Sequence, residues 1–242
     1  MIATDLLTTS VCAWNTAREQ KIPEDLVSYI YPNLKFAMLK GCDLKNANLV
    51  NSSFSSADLR NTNLEGSDFR RSNIAGSSFA GANLTACDLS NSEIWGSSFY
   101  KTTMIGCNFS DIRLSMGNLS QTLLQYADLC GSSLADSDLS GSDLSYANLQ
   151  RTIFSNMKMG RTDMNHATMS GTIFCNVDLR ECVGLETVQH NGPSEISIST
   201  FIKSEWNLPE VFLRGCGISD DVIAYAKSRA LKNQPKTLVS PA

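Results

Sequence analysis

The sequence predicts a solenoid, a repeat fold in which the chain turns once in every five residues. Two observations predict it. All 29 positions taken at steps of five from Leu39 to Leu179 hold Leu, Phe, Ile or Met, and 26 of the residues two positions earlier are Ala, Ser, Thr, Cys or Gly. A five-residue step drifts by about 140° around a helix and alternates between the two faces of a strand. Neither element buries this pattern on one side, so each repeat must contain a turn.

The repeat unit is a small residue, then often Asp, Asn or Ser, then Leu or Phe, then two variable residues, as in "ADLRNTNLEGSDF". These units resemble the pentapeptide-repeat family over residues 34–185. The resemblance implies an all-β solenoid, a right-handed quadrilateral β-helix of about 7–8 coils with one unit per side. In that fold the large residue and the small residue point inward, and the other three face outward.

The sequence changes character at both ends of the repeats. Residues 1–31 predict a short N-terminal helical cap, residues 32–185 the β-helix, and residues 186–242 a C-terminal helical segment and tail. In the last segment a Gly-Pro pair precedes one helix, a second is expected to end at Gly215 or Gly217, and Asp220 and Asp221 suit the first turn of a third.

Both flanks also resemble one bacterial subgroup in which this C-terminal segment often precedes a Toll/interleukin-receptor (TIR) domain. That domain is absent from the sequence. We therefore expect either a scaffold that works with a separate effector or a truncated form of a longer protein. The resemblance transfers no effector activity to this chain.

Composition narrows the classes of function. The chain has 242 residues and a net charge of −4, which gives no bulk field for nucleic acid or an anionic membrane. No apolar run approaches the length of about 18 residues that a membrane span needs, and no secretory signal opens the chain. The expectation is a cytoplasmic protein without direct nucleic-acid, membrane or small-molecule partners.

The sequence shows no catalytic or metal motif, so we expect no enzyme and no cofactor. His166 and His190 are the only histidines, and no glycine-rich phosphate loop is present. Four cysteines, Cys42, Cys87, Cys107 and Cys182, occupy the small inward position. They are interpreted as buried free thiols; the alternative is a disulfide or metal pair between Cys87 and Cys107, which stack 20 residues apart.

Function is therefore expected on the outward faces and in the C-terminal segment. The candidate interaction surface comprises Trp95, Tyr100, Tyr126, Tyr146, Asp68, Asp88 and Asp128. Local backbone bonding is the alternative role for the Asp residues, and contact with the caps is the alternative for the aromatic ones. The candidate docking segment comprises Phe201, Trp206, Phe212 and Tyr225.

Two functions compete on this basis. The first is a protein-interaction scaffold or sensor module in bacterial signalling or defence, with a protein partner or self-association through the C-terminal segment. The second is a DNA mimic that binds DNA gyrase or topoisomerase IV and protects against quinolones or toxins. From Leu34 to Cys182 there are 14 acidic and 12 basic residues, a difference of −2. This balance is too close to neutral for broad mimicry of a duplex.

Overall fold

The structure is a computed structural model that describes residues 32–233; the predicted N-terminal helical cap lies outside this range. Residues 20 apart pair as parallel bridges, from Asn33 with Ser53 to Asp163 with Val183. The predicted all-β solenoid is confirmed, with four five-residue sides in each coil. One column of outward residues runs the length of the tube through Asn33, Ser53, Asn73, Glu93, Arg113, Ser133, Ile153 and Ile173.

Most sides of the tube pair through single bridges, and longer strands form on two sides toward the C-terminal end. They make a five-stranded parallel sheet in the order β1-β2-β3-β5-β7 and a two-stranded sheet of β4 and β6. The strands are β1 Arg113–Ser115, β2 Ser133–Ala135, β3 Ile153–Ser155, β4 Thr168–Met169, β5 Ile173–Cys175, β6 Gln189–His190 and β7 Glu195–Ile196.

The core consists of four columns of large side chains inside the tube, one for each side. Every large residue of the five-residue register, from Leu34 to Leu179, is at most 2 % exposed. Neighbouring levels bring rings together, as in the stacked pair Phe154 and Phe174, whose centroids are 5.2 Å apart. The inward assignment of the register is therefore confirmed at every position.

The small inward position also forms hydrogen bonds between coils. In 14 repeats its hydroxyl or thiol donates to the carbonyl oxygen of the large residue 23 positions earlier, as Ser67 does to Leu44 at 2.8 Å. Ser, Thr and Cys all suit this position because each combines small volume with a donor. Cys87 and Cys107 make the same bond, to Leu64 and Leu84.

Each repeat turns through one residue with left-handed backbone. It stands two positions after the large residue, and its φ lies between 50° and 72° at all 29 positions from Phe36 to Asn176. This conformation costs an ordinary L-residue about 1–2 kcal/mol and costs glycine little. Accordingly, 17 of the 29 residues are Gly, Asn or Asp. This left-handed corner is the turn that the five-residue period requires.

Three short helices follow the β-helix. A 3₁₀ turn at Leu185–Thr187 ends the regular coils, and α1 Ile198–Lys203, α2 Glu210–Gly215 and α3 Asp220–Asn233 come after it. Phe212 of α2 lies against Phe174 of the last coil, with ring centroids 6.0 Å apart, and is fully buried. The segment therefore covers the C-terminal end of the tube. None of the helices within residues 32–233 has the length and apolar character of a membrane span.

Candidate interaction surfaces

The candidate outward residues lie on different sides of the tube. We number the sides by their buried columns: face 1 begins at Leu34, face 2 at Leu39, face 3 at Leu44 and face 4 at Leu49. Trp95 lies on face 1 and Tyr100 on face 2, whereas Tyr126 and Tyr146 lie at the corner after face 3. Face 4 carries Asp68, Asp88 and Asp128. The seven residues do not form one surface.

The three Asp residues of face 4 bond to the local backbone, the alternative that the sequence had left open. Asp68, Asp88 and Asp128 each accept, through Oδ1, the N–H of the residue two positions later, at 2.9–3.0 Å. The same bond occurs in 17 repeats that have Asp or Asn before the large residue. These carboxylates stabilise the turn. Any role in binding a partner would come in addition to this structural role.

Tyr126, Tyr146 and His166 form a stack on the surface, which we call the aromatic column. Tyr126 and Tyr146 have ring centroids 5.0 Å apart and planes 15° apart; Tyr146 and His166 are also 5.0 Å apart, at 29°. Tyr126 is 62 % exposed and Tyr146 49 %. All three occupy left-handed corner positions, with φ of 58–61°. Ring stacking of about 0.5–1.5 kcal/mol per pair partly offsets the backbone cost of placing bulky residues there.

Acidic groups border the aromatic column. Asp143 on face 3 accepts a hydrogen bond from Gln125, the residue before Tyr126, at 2.7 Å. Asp128 on face 4 follows Tyr126 by two residues. Within residues 32–233 neither carboxylate forms an ion pair. The outward positions of face 3 from Asn83 to His166 include no Lys or Arg, so this edge of the tube is aromatic and acidic.

Trp95 and Tyr100 have separate surroundings. Trp95 is 55 % exposed and lines a shallow groove with Glu93, Asp111 and Arg113. Tyr100 is half-buried, and the Lys101 ammonium lies 5.2 Å from its ring centroid. Neither ring stacks on another aromatic ring in the described part of the chain.

The structure narrows the candidate docking segment. Phe201 and Phe212 are buried in the core, so these two residues cannot contact a partner while the segment stays folded. Trp206 is half-buried between the rings of Phe201 and Tyr225, each 5.3 Å away, and Tyr225 is 53 % exposed. Of the four predicted residues, Tyr225 and the edge of Trp206 remain accessible.

Other apolar side chains of the segment are also exposed. Ile198 and Ile202 lie one turn apart on α1 and are 64 % and 59 % exposed, and Val222 lies on the outer side of α3 with Tyr225. We call Ile198, Ile202, Val222 and Tyr225 the C-terminal apolar surface. Val222 was not among the sequence candidates because its outward orientation depends on Ile223 and Ala226, which face the core.

His190 is the one described histidine whose ring is enclosed. Both ring nitrogens are buried and have no hydrogen-bond partner in the structure. The ring packs 5.7 Å from that of Phe212 and against the backbone of Gly215, where any Cβ would overlap it. Burial lowers the pKa of His190 because it disfavours the charged imidazolium. Across residues 32–233, no three His, Cys, Asp or Glu side chains are grouped as metal ligands would be.

Comparison with known proteins gives the following similarities. The pentapeptide-repeat family matches in eight copies, over residues 33–66, 52–91, 77–115, 118–156 and 142–180. The sequence matches none of the curated proteins with which it was compared.

Solved structures with similar folds are also pentapeptide-repeat or resistance proteins. HetL, a pentapeptide-repeat protein involved in heterocyst differentiation regulation in the cyanobacterium Nostoc sp. strain PCC 7120, is 18% identical over 73% of this chain and 95% of its own, with a TM-score of 0.30. A trypsin-treated form of QnrB1, a plasmid-mediated fluoroquinolone resistance protein, is 17% identical over 63% of this chain and 76% of its own, with a TM-score of 0.46.

Pentapeptide-repeat proteins are generally structural or interaction scaffolds rather than enzymes. The family match spans most of residues 33–180, more than half of the sequence, and coincides with the coils of the β-helix. This chain therefore belongs to the pentapeptide-repeat family.

Proposed function

We propose that the protein is a non-enzymatic interaction scaffold whose C-terminal segment binds a second protein, most simply a second copy of this chain. One observation carries the proposal: the C-terminal apolar surface exposes four large side chains on the same short segment that covers the end of the tube. A cap needs one apolar side, which Phe201, Phe212 and Leu213 already supply. An additional exposed apolar surface of this kind is typical of a protein interface.

The charges of α3 favour a second copy as the occupant. Its first turn carries Asp220 and Asp221, and its second half carries Lys227, Arg229 and Lys232. Asp221, Tyr225 and Lys232 lie on the side opposite the buried Ile223, as the 100° step of a helix requires. Two antiparallel copies of α3 would therefore place the acidic end of each against the basic end of the other, with Tyr225 between them.

The test is the oligomeric state of the whole chain, measured by size-exclusion chromatography with light scattering. Tyr225→Glu is expected to convert a dimer to a monomer, because it places a charge in the apolar contact. Ala224→Glu is the matched control, since Ala224 is exposed on a different side of α3. A wild-type monomer at all concentrations, or equal dimerisation of both variants, would refute the proposal.

We also propose a more specific role for this scaffold, in bacterial signalling or defence. The flanking segments that resemble the TIR-linked subgroup support it. Capture of a purified TIR-domain protein by the wild type, and loss of capture with Tyr225→Glu, is the expected result.

DNA mimicry is the second candidate function, and the charge pattern does not favour it. Several of the acidic residues of the tube are neutralised by neighbouring arginines, as in the pairs Asp58 with Arg60 and Asp68 with Arg70, both at 2.6 Å. A duplex carries one negative charge per roughly 1.7 Å without such pairing. Protection of gyrase supercoiling from a fluoroquinolone at stoichiometric protein would reverse this ranking.

A further inference from the structure

The aromatic column ends at Tyr126, directly above a glycine. Residues 20 apart stack along each corner, so the residue one level below Tyr126 is Gly106. Gly106 adopts the same left-handed corner conformation, with φ of 66°, and a Cβ placed there would meet no atom within 4 Å. The column therefore stops at Tyr126, and the corner below it contains no side chain.

The lower face of the Tyr126 ring borders this empty corner. Tyr146 covers the upper face, with ring centroids 5.0 Å apart, and Tyr126 as a residue is 62 % exposed. No other aromatic ring or cation contacts Tyr126 within residues 32–233. Levels of a parallel β-structure repeat at about 4.8 Å, close to the spacing of the rings in the column. A flat group entering above Gly106 would thus become the next member of the stack.

The charge of the neighbouring carboxylates indicates which kind of chemical group would bind in the corner above Gly106. Asp128 follows Tyr126 by two residues, and Asp143 bonds to Gln125, the residue before it. Both carboxylates are half-buried and unpaired with any cation among the described residues. A planar cation satisfies both features, since it can lie against the aromatic face and next to the carboxylate of Asp128. Guanidinium is the planar cation of proteins, whereas the lysine ammonium is compact and strongly hydrated.

We propose that the corner between Gly106 and Tyr126 is a binding site for an arginine side chain of a partner protein. The guanidinium lies over Gly106 against the free face of Tyr126, and Asp128, at the level of Tyr126 on the adjoining face, supplies the compensating charge. This site is more than a coil away from the C-terminal apolar surface and differs from it in chemistry. The inference goes beyond the proposed self-association and does not depend on it.

The direct test is binding of a fluorescein-labelled peptide of alternating glycine and arginine to the whole chain, measured by fluorescence polarisation. Three peptides of equal length serve as comparisons, with citrulline, lysine or phenylalanine in place of arginine. The arginine peptide is expected to bind tightest. Binding of the citrulline, lysine or phenylalanine peptide with equal affinity, or no binding of the arginine peptide at millimolar protein, would overturn the proposal.

Gly106→Tyr locates the site without removing any group of the tube. Tyr126 and Tyr146 show that tyrosine is tolerated at this backbone position, so the new ring should extend the column and fill the empty corner. It is expected to weaken binding of the arginine peptide by up to about fivefold, the upper limit for one exposed cation–π contact, because the ring face that it newly exposes lies one coil further from Asp128.

Gly96→Tyr is the matched control. Gly96 also has φ of 66° and open space around a Cβ, but it lies on the corner after face 1. It should leave the affinity within about twofold, a change below 0.5 kcal/mol. Equal weakening by the two substitutions, or none by Gly106→Tyr, would show that the peptide binds elsewhere and would refute the site. The oligomeric state of each variant is measured in parallel, so a failure here is distinguishable from a failure of the proposed self-association.

Discussion

At the scale of single residues, four of the five positions in the repeat have a physical role in the structure. The large residue fills the tube, the small residue donates to a carbonyl 23 positions earlier, the Asp or Asn accepts a local N–H, and the last residue makes the left-handed turn. The sequence predicted that the large residue and the small residue point inward, because large and small side chains recur at a fixed period of five residues. It did not reveal the inter-coil bond, because Ala occupies the same position without a donor.

The inter-coil bond makes a prediction for the cysteines. Cys87→Ser should change the free energy of unfolding by less than about 0.5 kcal/mol, because serine makes this bond in neighbouring repeats. Cys87→Val should destabilise the fold by about 1–2 kcal/mol, because the donor to Leu64 is lost and the side chain is larger. Denaturant unfolding of both variants checks this. Equal stabilities of the two variants would contradict a contribution of this bond to the stability of the fold.

Burial also protects the thiol of Cys107. Desolvation raises its pKa well above the ordinary value, so the reactive thiolate is scarce at neutral pH. We expect Cys87 and Cys107 to react with a thiol reagent only when the coils open, and mass spectrometry without reductant to show no bridge between them. A Cys87–Cys107 disulfide in that spectrum would contradict the interpretation.

His190 gives the protein a predicted dependence of stability on pH. Its pKa is lowered in the folded state, so the unfolded chain binds more protons, and stability falls as pH drops below about 6.5. Thermal unfolding of the wild type at pH 7.5 and 5.5 should show this loss. His190→Leu should reduce the difference, whereas His166→Leu, at an exposed position, should leave it unchanged. A wild-type difference that persists in His190→Leu would assign the effect to other groups.

At the scale of elements, the helices were predictable but their buried sides were not. The Gly-Pro pair, Gly217 and the Asp residues at the start of α3 marked three helices, and the structure has them at Ile198–Lys203, Glu210–Gly215 and Asp220–Asn233. Helices of six residues are too short for a periodic pattern to show which side is buried. Phe201 and Phe212 were therefore placed in the docking segment, although both lie in the core.

Truncated chains distinguish two roles of the C-terminal segment, namely covering the end of the tube and binding a partner. A chain ending at Ser219 loses α3, which buries only Ile223 and Ala226 deeply, so the tube should keep its β-type circular dichroism and lose self-association. A chain ending at Glu205 also loses Phe212 and exposes Phe174, so its thermal midpoint should fall further. Unfolding of the whole tube on loss of α3 alone would mean that α3 is a cap.

At the scale of the whole molecule, the 20-residue coil turns positions in the sequence into columns on the surface. The coil places Tyr126, Tyr146 and His166 one above another, and their rings stack. The sequence did not single out Gly106 as part of a candidate site, because the lack of a side chain at this corner is relevant only next to the exposed ring of Tyr126. The candidate residues also do not share one surface, because Trp95 lies on face 1, Tyr100 on face 2, and the three Asp residues on face 4.

The continuous core makes the tube sensitive to one buried charge. Leu139→Asp should destabilise by about 4 kcal/mol or more, because the interior around Leu139 is filled with apolar side chains that offer the carboxylate no partner. Gln121→Asp places the same charge at an exposed corner and should have little effect. A Leu139→Asp midpoint close to that of Gln121→Asp would contradict the inward register.

The central claim is that the tube is a scaffold and the C-terminal segment is its docking surface, and amide hydrogen exchange tests this most directly. Exchange is compared by mass spectrometry in dilute and concentrated samples of the whole chain. We predict that concentration slows exchange in peptides covering residues 198–206 and 220–231 and leaves the coils of residues 33–183 unchanged. Equal exchange in the C-terminal peptides at both concentrations, or slowing confined to the faces of the tube, would contradict the account.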